Sequence, residues 1–208
     1  MKTDKKRVFC MLFGILLIGI CVGAYRLSGF GSDPYSCMNL GISKFLGMSF
    51  GNWQLIMNIF ILIIVFFTVP KCIGAGTIIN MVFVGYIADF LCWFVLEQMD
   101  IEMTIPLRVI ALLIGMLCAS LGAALYMAPE MGIAPYDSVA FIIMKLTHDK
   151  MPFRMGRVIS DVTVMVVGII FCYLSHNSIW MVVGLGTVIN SLCNGPLIQF
   201  FRGKIEKL

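Results

Sequence analysis

The sequence predicts an all-α polytopic membrane protein made of two tandem four-helix repeats, each with one short helix that starts at a proline, related by a pseudo-two-fold axis. Composition predicts the membrane, since 60% of the 208 residues are hydrophobic and 12% are charged, against roughly 45–50% and about 25% in an average soluble domain. A soluble fold of this length cannot bury so much apolar surface. Two recurring frames predict the repeat, with halves at 1–98 and 103–208 that form a single integrated membrane domain.

The repeat is visible as two short frames that occur twice in the same order. The Gly-x-x-Pro-Tyr frame beginning at Gly31 returns at Gly132, an offset of 101 residues (132 − 31). The Gly-x-Gly-Thr-x-x-Asn frame beginning at Gly74 returns at Gly184, an offset of 110 residues (184 − 74). Motifs that recur in the same order, at an offset that increases along the chain, indicate a duplicated half with a few inserted residues.

Long apolar runs give three predicted spans in each half, because about eighteen to twenty apolar residues cross the hydrocarbon of a bilayer. In the first half the runs are Val8–Tyr25, Trp53–Val69 and Ile78–Leu96. In the second half they are Leu107–Met127, Val158–Leu174 and Ile179–Phe201.

Each half also contains one short predicted helix, Pro34–Gly47 or Pro135–Thr147. Asp33 is the expected N-cap of the first, since its carboxylate can accept the free amides and proline needs no donor at the first position. If both short helices cross the membrane there are eight spans in parallel halves, and if both are re-entrant there are six in inverted halves. We favour eight, because about 14 residues rise roughly 21 Å and reach most of the way across a locally thin bilayer. The apolar stretch Val139–Met144 also suits a lipid-facing segment.

The net charge of +4 does not predict nucleic-acid binding. The basic residues gather at the ends of apolar runs, as topology determinants beside lipid headgroups do. The strongest cytoplasmic markers are the N-terminal cluster at 5–7 and a basic connection containing Lys145, Lys150, Arg154 and Arg157. Both crossing alternatives place the two termini in the cytoplasm of a bacterial plasma membrane, with the lipid bilayer as the surrounding partner.

The sequence contains no pattern typical of a metal site, a cofactor site or an enzyme. The eight cysteines form no Cys-x-x-Cys pair and lie mostly inside apolar runs, where cysteine acts as a small hydrophobe. No paired acid and base, no His/Glu metal motif and no nucleophile with a base at readable spacing occurs. We therefore expect no metal, no cofactor and no enzymatic activity.

Three ionisable residues within or beside predicted spans are candidates for a transport site, namely Asp89, Arg157 and Asp161. Such groups are costly in lipid, so we expect them to face protein or a wet cavity. Asp89 is either a proton or cation site or a carboxylate paired with a neighbouring helix. Arg157 and Asp161 are four residues apart, which favours an intrahelical salt bridge. In a more specific hypothesis the guanidinium group of Arg157 binds an anionic substrate through two parallel hydrogen bonds. Asp161 is then its counter-ion when no substrate is bound.

Two tyrosines and an aspartate are candidates at the two Pro-Tyr frames: Tyr35 and Tyr136 belong to the frames, and Asp137 follows the second. Asp137 lies in the first turn of its predicted short helix, where free amides and the helix dipole favour a carboxylate, so capping is its simplest role. Tyrosine after a proline at a helix start is typical of interfacial anchoring. If Tyr35 and Tyr136 approach each other, they form instead an aromatic gate or lining.

The asparagines Asn58, Asn80 and Asn190 are the remaining candidates. Each can hydrogen-bond across helices, which is the usual role of asparagine in a membrane span. Asn80 and Asn190 occupy equivalent repeat positions, and duplicated transporters build their pockets from matched positions near the midplane. A site role therefore stays open beside the packing role.

The frames resemble the YitT/YczE-type family of small bacterial multi-pass membrane proteins over about residues 10–200. The resemblance rests on Gly-x-x-Pro-Tyr-Asp at 132–137, the pair Gly156-Arg157, and Gly-x-Gly-Thr-x-x-Asn at 184–190 followed by Gly195-Pro196-Leu197-Ile198-Gln199. It implies a fold and a transport role, and it supplies no substrate. This chain has tyrosine after the proline where relatives carry tryptophan or arginine, and Asp161 where they carry glutamate, so the ligand preference stays open.

The expected function is a secondary transporter or facilitator of a small polar or anionic solute, bound where the two repeats meet and moved by rocking of the halves. The alternative is a non-transporting membrane partner that assembles or regulates another membrane complex through small-residue helix faces. Association as a homo-oligomer or with another membrane protein stays open in both. An intramembrane enzyme is the weakest of the three hypotheses.

Overall fold

The computed structural model describes residues 4–48, 50–176 and 183–205, and within these ranges every regular element is helical and no strand occurs. The described residues form eight α-helices, α1 Asp4–Ser28, α2 Pro34–Leu46, α3 Phe50–Thr68, α4 Ala75–Trp93, α5 Ile105–Met127, α6 Val139–Leu146, α7 Phe153–Leu174 and α8 Leu185–Ile205. Five helices, namely α1, α3, α4 with its following π-turn, α5 and α7, are long and apolar enough to cross a membrane. The protein is therefore membrane-embedded.

The predicted spans coincide with helices, although their bounds differ by a few residues. The largest difference is at α7, which begins at Phe153, so that Arg154 and Arg157 are helical rather than part of a basic connection. A π-turn, Phe94–Gln98, extends α4. The start predicted for the last span, at 179–182, lies outside the described residues, and α8 is helical from Leu185.

The chain divides into two compact units, and the first contains described residues 4–29, 71–134 and 196–205. Its helix α1 packs on both α4 and α5. The contact with α5 is close because Gly14 has no side chain, and a Cβ there would lie 2.5 Å from the Tyr126 backbone nitrogen and 2.8 Å from the Gly122 carbonyl. Small residues therefore set the helix spacing here, as they do in other membrane proteins.

The start of α4 is fixed by hydrogen bonds to the loop that follows α5 in this first unit. The Gly76 amide donates to the Met131 carbonyl at 2.9 Å, and the Thr77 hydroxyl donates to the Ile133 carbonyl at 2.8 Å. Gly132 has φ +103°, and a Cβ there would lie 2.5 Å from the Gly74 nitrogen. Only glycine fits at Gly132, because other residues avoid this backbone conformation and have no room for a side chain.

The second unit contains described residues from 30–70 and 135–195, and its main contact joins α2 to α7. The helix backbones touch at Gly41 and Gly168, and a Cβ on Gly168 would lie 2.8 Å from the Cys37 carbonyl oxygen. At the start of α8 the Gly186 amide donates to the Phe30 carbonyl at 2.9 Å. Each unit thus contains one Gly-x-Gly-Thr frame packed against the glycine that opens one Gly-x-x-Pro frame.

The two short helices differ from each other. In α2 the carboxylate of Asp33 accepts from the Ser36 amide at 2.9 Å, which confirms the predicted N-cap, and Gly47 ends the helix with φ +65°. The second begins with a 3-10 turn, Tyr136–Ser138, and continues as the eight-residue α6. No residue between 139 and 144 is fully exposed. Ala140 and Ile142 are buried and the other four residues are partly exposed. One face of the stretch therefore packs against protein, and contact of the other face with lipid stays a prediction.

Candidate functional site

A buried ion-pair network lies in the second unit, where α7 meets the 3-10 turn before α6. Arg157 Nε donates to Asp161 Oδ2 at 3.1 Å, which is the intrahelical salt bridge expected from their spacing. Arg157 Nη1 donates to Asp137 Oδ1. Asp137 therefore pairs with an arginine 20 residues away. The Tyr136 hydroxyl donates to the other oxygen of Asp161, Oδ1, at 2.5 Å.

The two Pro-Tyr frames meet at this network. The rings of Tyr35 and Tyr136 are stacked, with centroids 4.4 Å apart and planes inclined by 11°. The guanidinium carbon of Arg157 lies 4.8 Å from the centroid of the Tyr136 ring, within cation–π range. The Tyr35 hydroxyl donates to Asn58 Oδ1 at 2.8 Å. Six predicted site residues therefore form one connected cluster, which we call the Arg–Tyr cluster: Tyr35, Asn58, Tyr136, Asp137, Arg157 and Asp161.

The Arg–Tyr cluster is enclosed by protein. The side chains of Arg157, Asp137 and Asp161 are 8%, 15% and 0% exposed. One guanidinium faces two carboxylates, so the three groups together carry a charge of −1 when all are ionised. A net charge at membrane depth is costly unless another charge compensates it.

An apolar cavity of about 220 Å³ adjoins the tyrosine stack in the same unit. Both tyrosines line it, and the helices α2, α3, α6 and α7 supply the remaining wall. Its other lining residues include Met38, Met57, Ile61 and Ser160. Methionine and aliphatic side chains at such positions look like ordinary span residues, so no sequence pattern indicates the cavity.

The other three predicted site residues lie outside the Arg–Tyr cluster. Asp89 belongs to the first unit and forms an ion pair with Arg26 of α1, with side chains 68% and 50% exposed. This is the pairing with a neighbouring helix that the sequence left open. Asn80, also in the first unit, is buried, and its Nδ2 has no hydrogen-bond partner among the described residues. Asn190 is buried in the part of α8 that belongs to the second unit.

The polar groups of the cluster are engaged with one another. Tyr136 donates to a carboxylate oxygen of Asp161, and two carboxylates accept from the guanidinium of Arg157. No group of three or more potential metal ligands occurs among the described residues. What the cluster provides is a buried, charged and aromatic surface next to a cavity.

Comparison with known proteins gives a family but no activity. The family described as a family of unknown function, DUF6198, matches residues 5–203. An uncharacterized protein of Haemophilus influenzae is 28% identical over 206 residues, which cover 99% of this chain and 88% of the relative. The uncharacterized protein YyaS of Bacillus subtilis is 26% identical over 195 residues, which cover 93% of this chain and 91% of the relative. No solved structure matches the chain.

Proposed function

Because the chain belongs to DUF6198, a family of unknown function, its activity has to be inferred from its own side chains, and we propose that it is a secondary transporter or facilitator of a small solute. The observation that carries the proposal is the Arg–Tyr cluster. It combines aromatic groups with ionisable groups, and ionisable groups are costly to place in a membrane unless they serve a pathway or a pairing. A cavity large enough for a small molecule lies beside it.

Both predicted halves contribute to this site, as expected for a transporter that binds its solute where two repeats meet. Tyr35 and Asn58 come from the first half, and Tyr136, Asp137 and the α7 residues come from the second. Movement of α2 away from the 3-10 turn before α6, within the second unit, would open the tyrosine stack. Alternating access of this kind requires no chemistry beyond the exchange of ion pairs and ring contacts.

For the fold we propose two tandem four-helix repeats, in which the loop before the short helix of each repeat packs against the other repeat. It is supported by two hydrogen bonds that join equivalent positions, Gly76 to Met131 in one unit and Gly186 to Phe30 in the other. The offsets between these donors and between these acceptors are 110 (186 − 76) and 101 (131 − 30), the offsets of the two frames. A YitT/YczE-type assignment is compatible with this family. We also propose that the protein lies in a bacterial plasma membrane with both termini in the cytoplasm.

Of the two solute classes expected from the sequence, polar and anionic, the charge of the cluster favours a polar solute without negative charge. Both nitrogens of Arg157 that make ion pairs are already used by carboxylates. An anion would leave two displaced carboxylates in the same buried space, and like charges disfavour each other there. Binding of an anion by Arg157 therefore requires the carboxylates to move away from the guanidinium group, whereas binding of a neutral or positive solute does not.

The alternative function, a non-transporting partner of another membrane complex, predicts that the important residues lie on outward helix faces. In this protein the two ion pairs of Arg157 lie inside the second unit, with Asp161 fully buried. Substitution of buried cluster residues should therefore affect a transporter more directly than a scaffold. The same reasoning assigns no enzymatic step to the cluster.

The proposal is tested by flux through purified protein in proteoliposomes, screened with a panel of radiolabelled amines, amino acids and carboxylates. We expect flux of at least one solute for the wild-type protein and for Asp149→Asn, which removes a carboxylate at an exposed loop position. Arg157→Gln and Asp161→Asn should lower that flux by on the order of tenfold or more, since each removes one charge from the site. Equal flux through all four proteins would remove the Arg–Tyr cluster from the transport path and refute the proposal.

A further inference from the structure

The two short helices of the second unit begin side by side inside the membrane and run to opposite ends of the unit. We call them the α2 arm, Pro34–Leu46, and the α6 arm, residues 136–146. We infer that both are re-entrant, that they enter from opposite faces of the membrane, and that they are the two gates of the solute path. The inference rests on the proposed function and adds to it the parts that move. It gives six crossings in inverted halves instead of the eight favoured from helix length alone.

Helix α7 provides a scale of depth within the unit. Its 22 residues rise about 33 Å, close to the thickness of roughly 30 Å of the hydrocarbon core of a bilayer. Asp161 lies eight residues (161 − 153) from the start of α7, which is about 12 Å along the axis. The Tyr136 hydroxyl donates to Asp161 at 2.5 Å, and the Tyr136 ring stacks on Tyr35. Both arms therefore begin well inside the membrane.

From this depth the α2 arm runs towards the end of α7. Gly41 packs on Gly168, and further along both helices the rings of Phe45 and Phe171 meet edge-on with centroids 5.2 Å apart. The pairs advance in the same direction, so α2 is parallel to α7. Its 13 residues match the 13 residues (174 − 161) between Asp161 and the end of α7. The α2 arm therefore ends at the membrane face where α7 ends, and it does not cross.

The α6 arm runs the other way, towards the start of α7. A Cβ on Gly156 would lie 3.1 Å from the carbonyl oxygen of Ala140. Further along α6, but nearer the start of α7, the rings of Phe141 and Phe153 have centroids 5.0 Å apart. These pairs advance in opposite directions, so α6 is antiparallel to α7. The α6 arm therefore ends at the membrane face where α7 begins.

A re-entrant segment places non-helical backbone at membrane depth, which is tolerated only where protein buries it or a water-filled cavity adjoins it. The chain is non-helical at 30–33, before the α2 arm, and at 132–134, before the α6 arm. Transporters build their solute sites from interrupted helices of this kind. An arm that enters and leaves by one face can move without displacing a complete span. The two arms therefore have the geometry of gates, one for each face.

A tyrosine hydroxyl holds the start of each arm to a long helix. Tyr35 donates to Asn58 Oδ1 of α3 at 2.8 Å, and Tyr136 donates to Asp161 Oδ1 of α7 at 2.5 Å. Each acceptor is the ninth residue of its helix (58 − 50 and 161 − 153 are both 8), so the two halves use equivalent bonds. The first acceptor is a neutral amide and the second is a carboxylate, which forms the stronger hydrogen bond. The α6 arm is therefore held more firmly than the α2 arm.

The faces that the arms reach are tested at Leu46 and Leu146, which end the two arms and are 47% and 71% exposed. Leu46→Cys and Leu146→Cys are made separately in a chain whose native cysteines are replaced by alanine, and intact and inverted vesicles are treated with a membrane-impermeant maleimide. We expect Leu46→Cys to react from the external face and Leu146→Cys from the cytoplasmic face. Reaction of both from one face, as eight crossings require, would overturn the inference. A protease site inserted after Gly47 or after Asp149, with the native cysteines retained, reports the same faces if the cysteine-free chain does not fold.

The gates are tested with Ser160→Cys in the same chain, because Ser160 is 5% exposed and lines the cavity beside both tyrosines. The reagent is a charged methanethiosulfonate, which reacts in water and not in lipid. Tyr35→Phe and Tyr136→Phe each remove one hydroxyl and keep the ring stack. We expect Tyr35→Phe to raise the rate of modification from the external face by about two- to tenfold, and Tyr136→Phe to raise the rate from the cytoplasmic face by about ten- to a hundredfold.

The control is Tyr173→Phe, which removes a hydroxyl from an exposed position on α7 and should leave both rates unchanged. A merely structural role of Tyr35 and Tyr136 does not produce changes on opposite faces. Rates that rise from the same face in both variants, or that stay at the control value in either of them, contradict the assignment of the two arms as gates.

The labelling requires no solute, so the inference and the proposed function can fail separately. If proteoliposomes move a solute in an Asp161-dependent way while the two phenylalanine variants leave the labelling unchanged, the gates are wrong and the transporter proposal stands. If the two variants open opposite faces while no member of the solute panel is moved, the transporter proposal is wrong and the two arms stand.

Discussion

Arg157 and Asp161 form the same salt bridge, yet their removal should have very different costs for the stability of the fold. Arg157→Gln leaves Asp137 and Asp161 without their cation at side-chain exposures of 15% and 0%. Removing one partner of a buried pair typically costs about 3–5 kcal/mol. Asp161→Asn keeps the shape of the side chain and leaves Arg157 paired with Asp137. Its cost is the loss of one charge-assisted hydrogen bond, about 1.5–3 kcal/mol, offset by removal of the excess negative charge.

We therefore predict that Arg157→Gln lowers the free energy of unfolding by at least about 2 kcal/mol more than Asp161→Asn does. The measurement is reversible unfolding of purified protein in mixed micelles by titration with dodecyl sulfate, followed by far-ultraviolet circular dichroism. Asp149→Asn is the control and should lie within about 0.5 kcal/mol of the wild-type protein. Equal losses for the two cluster variants, or a larger loss for Asp161→Asn, would show that the cluster does not carry an excess of negative charge.

Two further predictions concern helix packing and capping. Gly168→Ala should destabilise the protein by about 1–3 kcal/mol, because its Cβ would lie 2.8 Å from the Cys37 carbonyl, whereas Gly51→Ala, which meets no atom within 4 Å, should be neutral or slightly stabilising in the same unfolding titration. Asp33→Ala should cost about 0.5–2 kcal/mol through loss of the bond to the Ser36 amide, and Asp33→Asn should retain most of that stability; an equal loss for both would contradict the capping role.

Local features of this protein were predictable because they depend on residues that are close in sequence. The cap at Asp33, the proline at the first position of α2 and the pairing of Arg157 with Asp161 each follow from spacings of four residues or fewer. The positions of the spans follow from length and hydropathy alone. These rules need no knowledge of which helices are neighbours.

The arrangement of the helices was not predictable in the same way, because apolar residues cover most faces of most spans and hydropathy does not reveal which face meets protein. The partner of Asp89 is Arg26, 63 residues away in sequence. Asp137 pairs with Arg157, 20 residues away in sequence, because the 3-10 turn brings it beside α7. The buried face of α6 has the same origin, since its apolar sequence suits contact with lipid and contact with protein equally.

The claim that both halves of the chain build one buried site is tested most directly by a double-mutant cycle between Tyr35 and Tyr136. The substitutions are Tyr35→Leu, Tyr136→Leu and the pair together, measured by the same unfolding titration. Because the rings stack at 4.4 Å, we predict a coupling free energy of about 0.5–1.5 kcal/mol, which the cycle separates from the hydrogen bonds that each tyrosine makes with its own partner. Additive losses, with a coupling below about 0.3 kcal/mol, would mean that the two tyrosines do not meet and would contradict the claim.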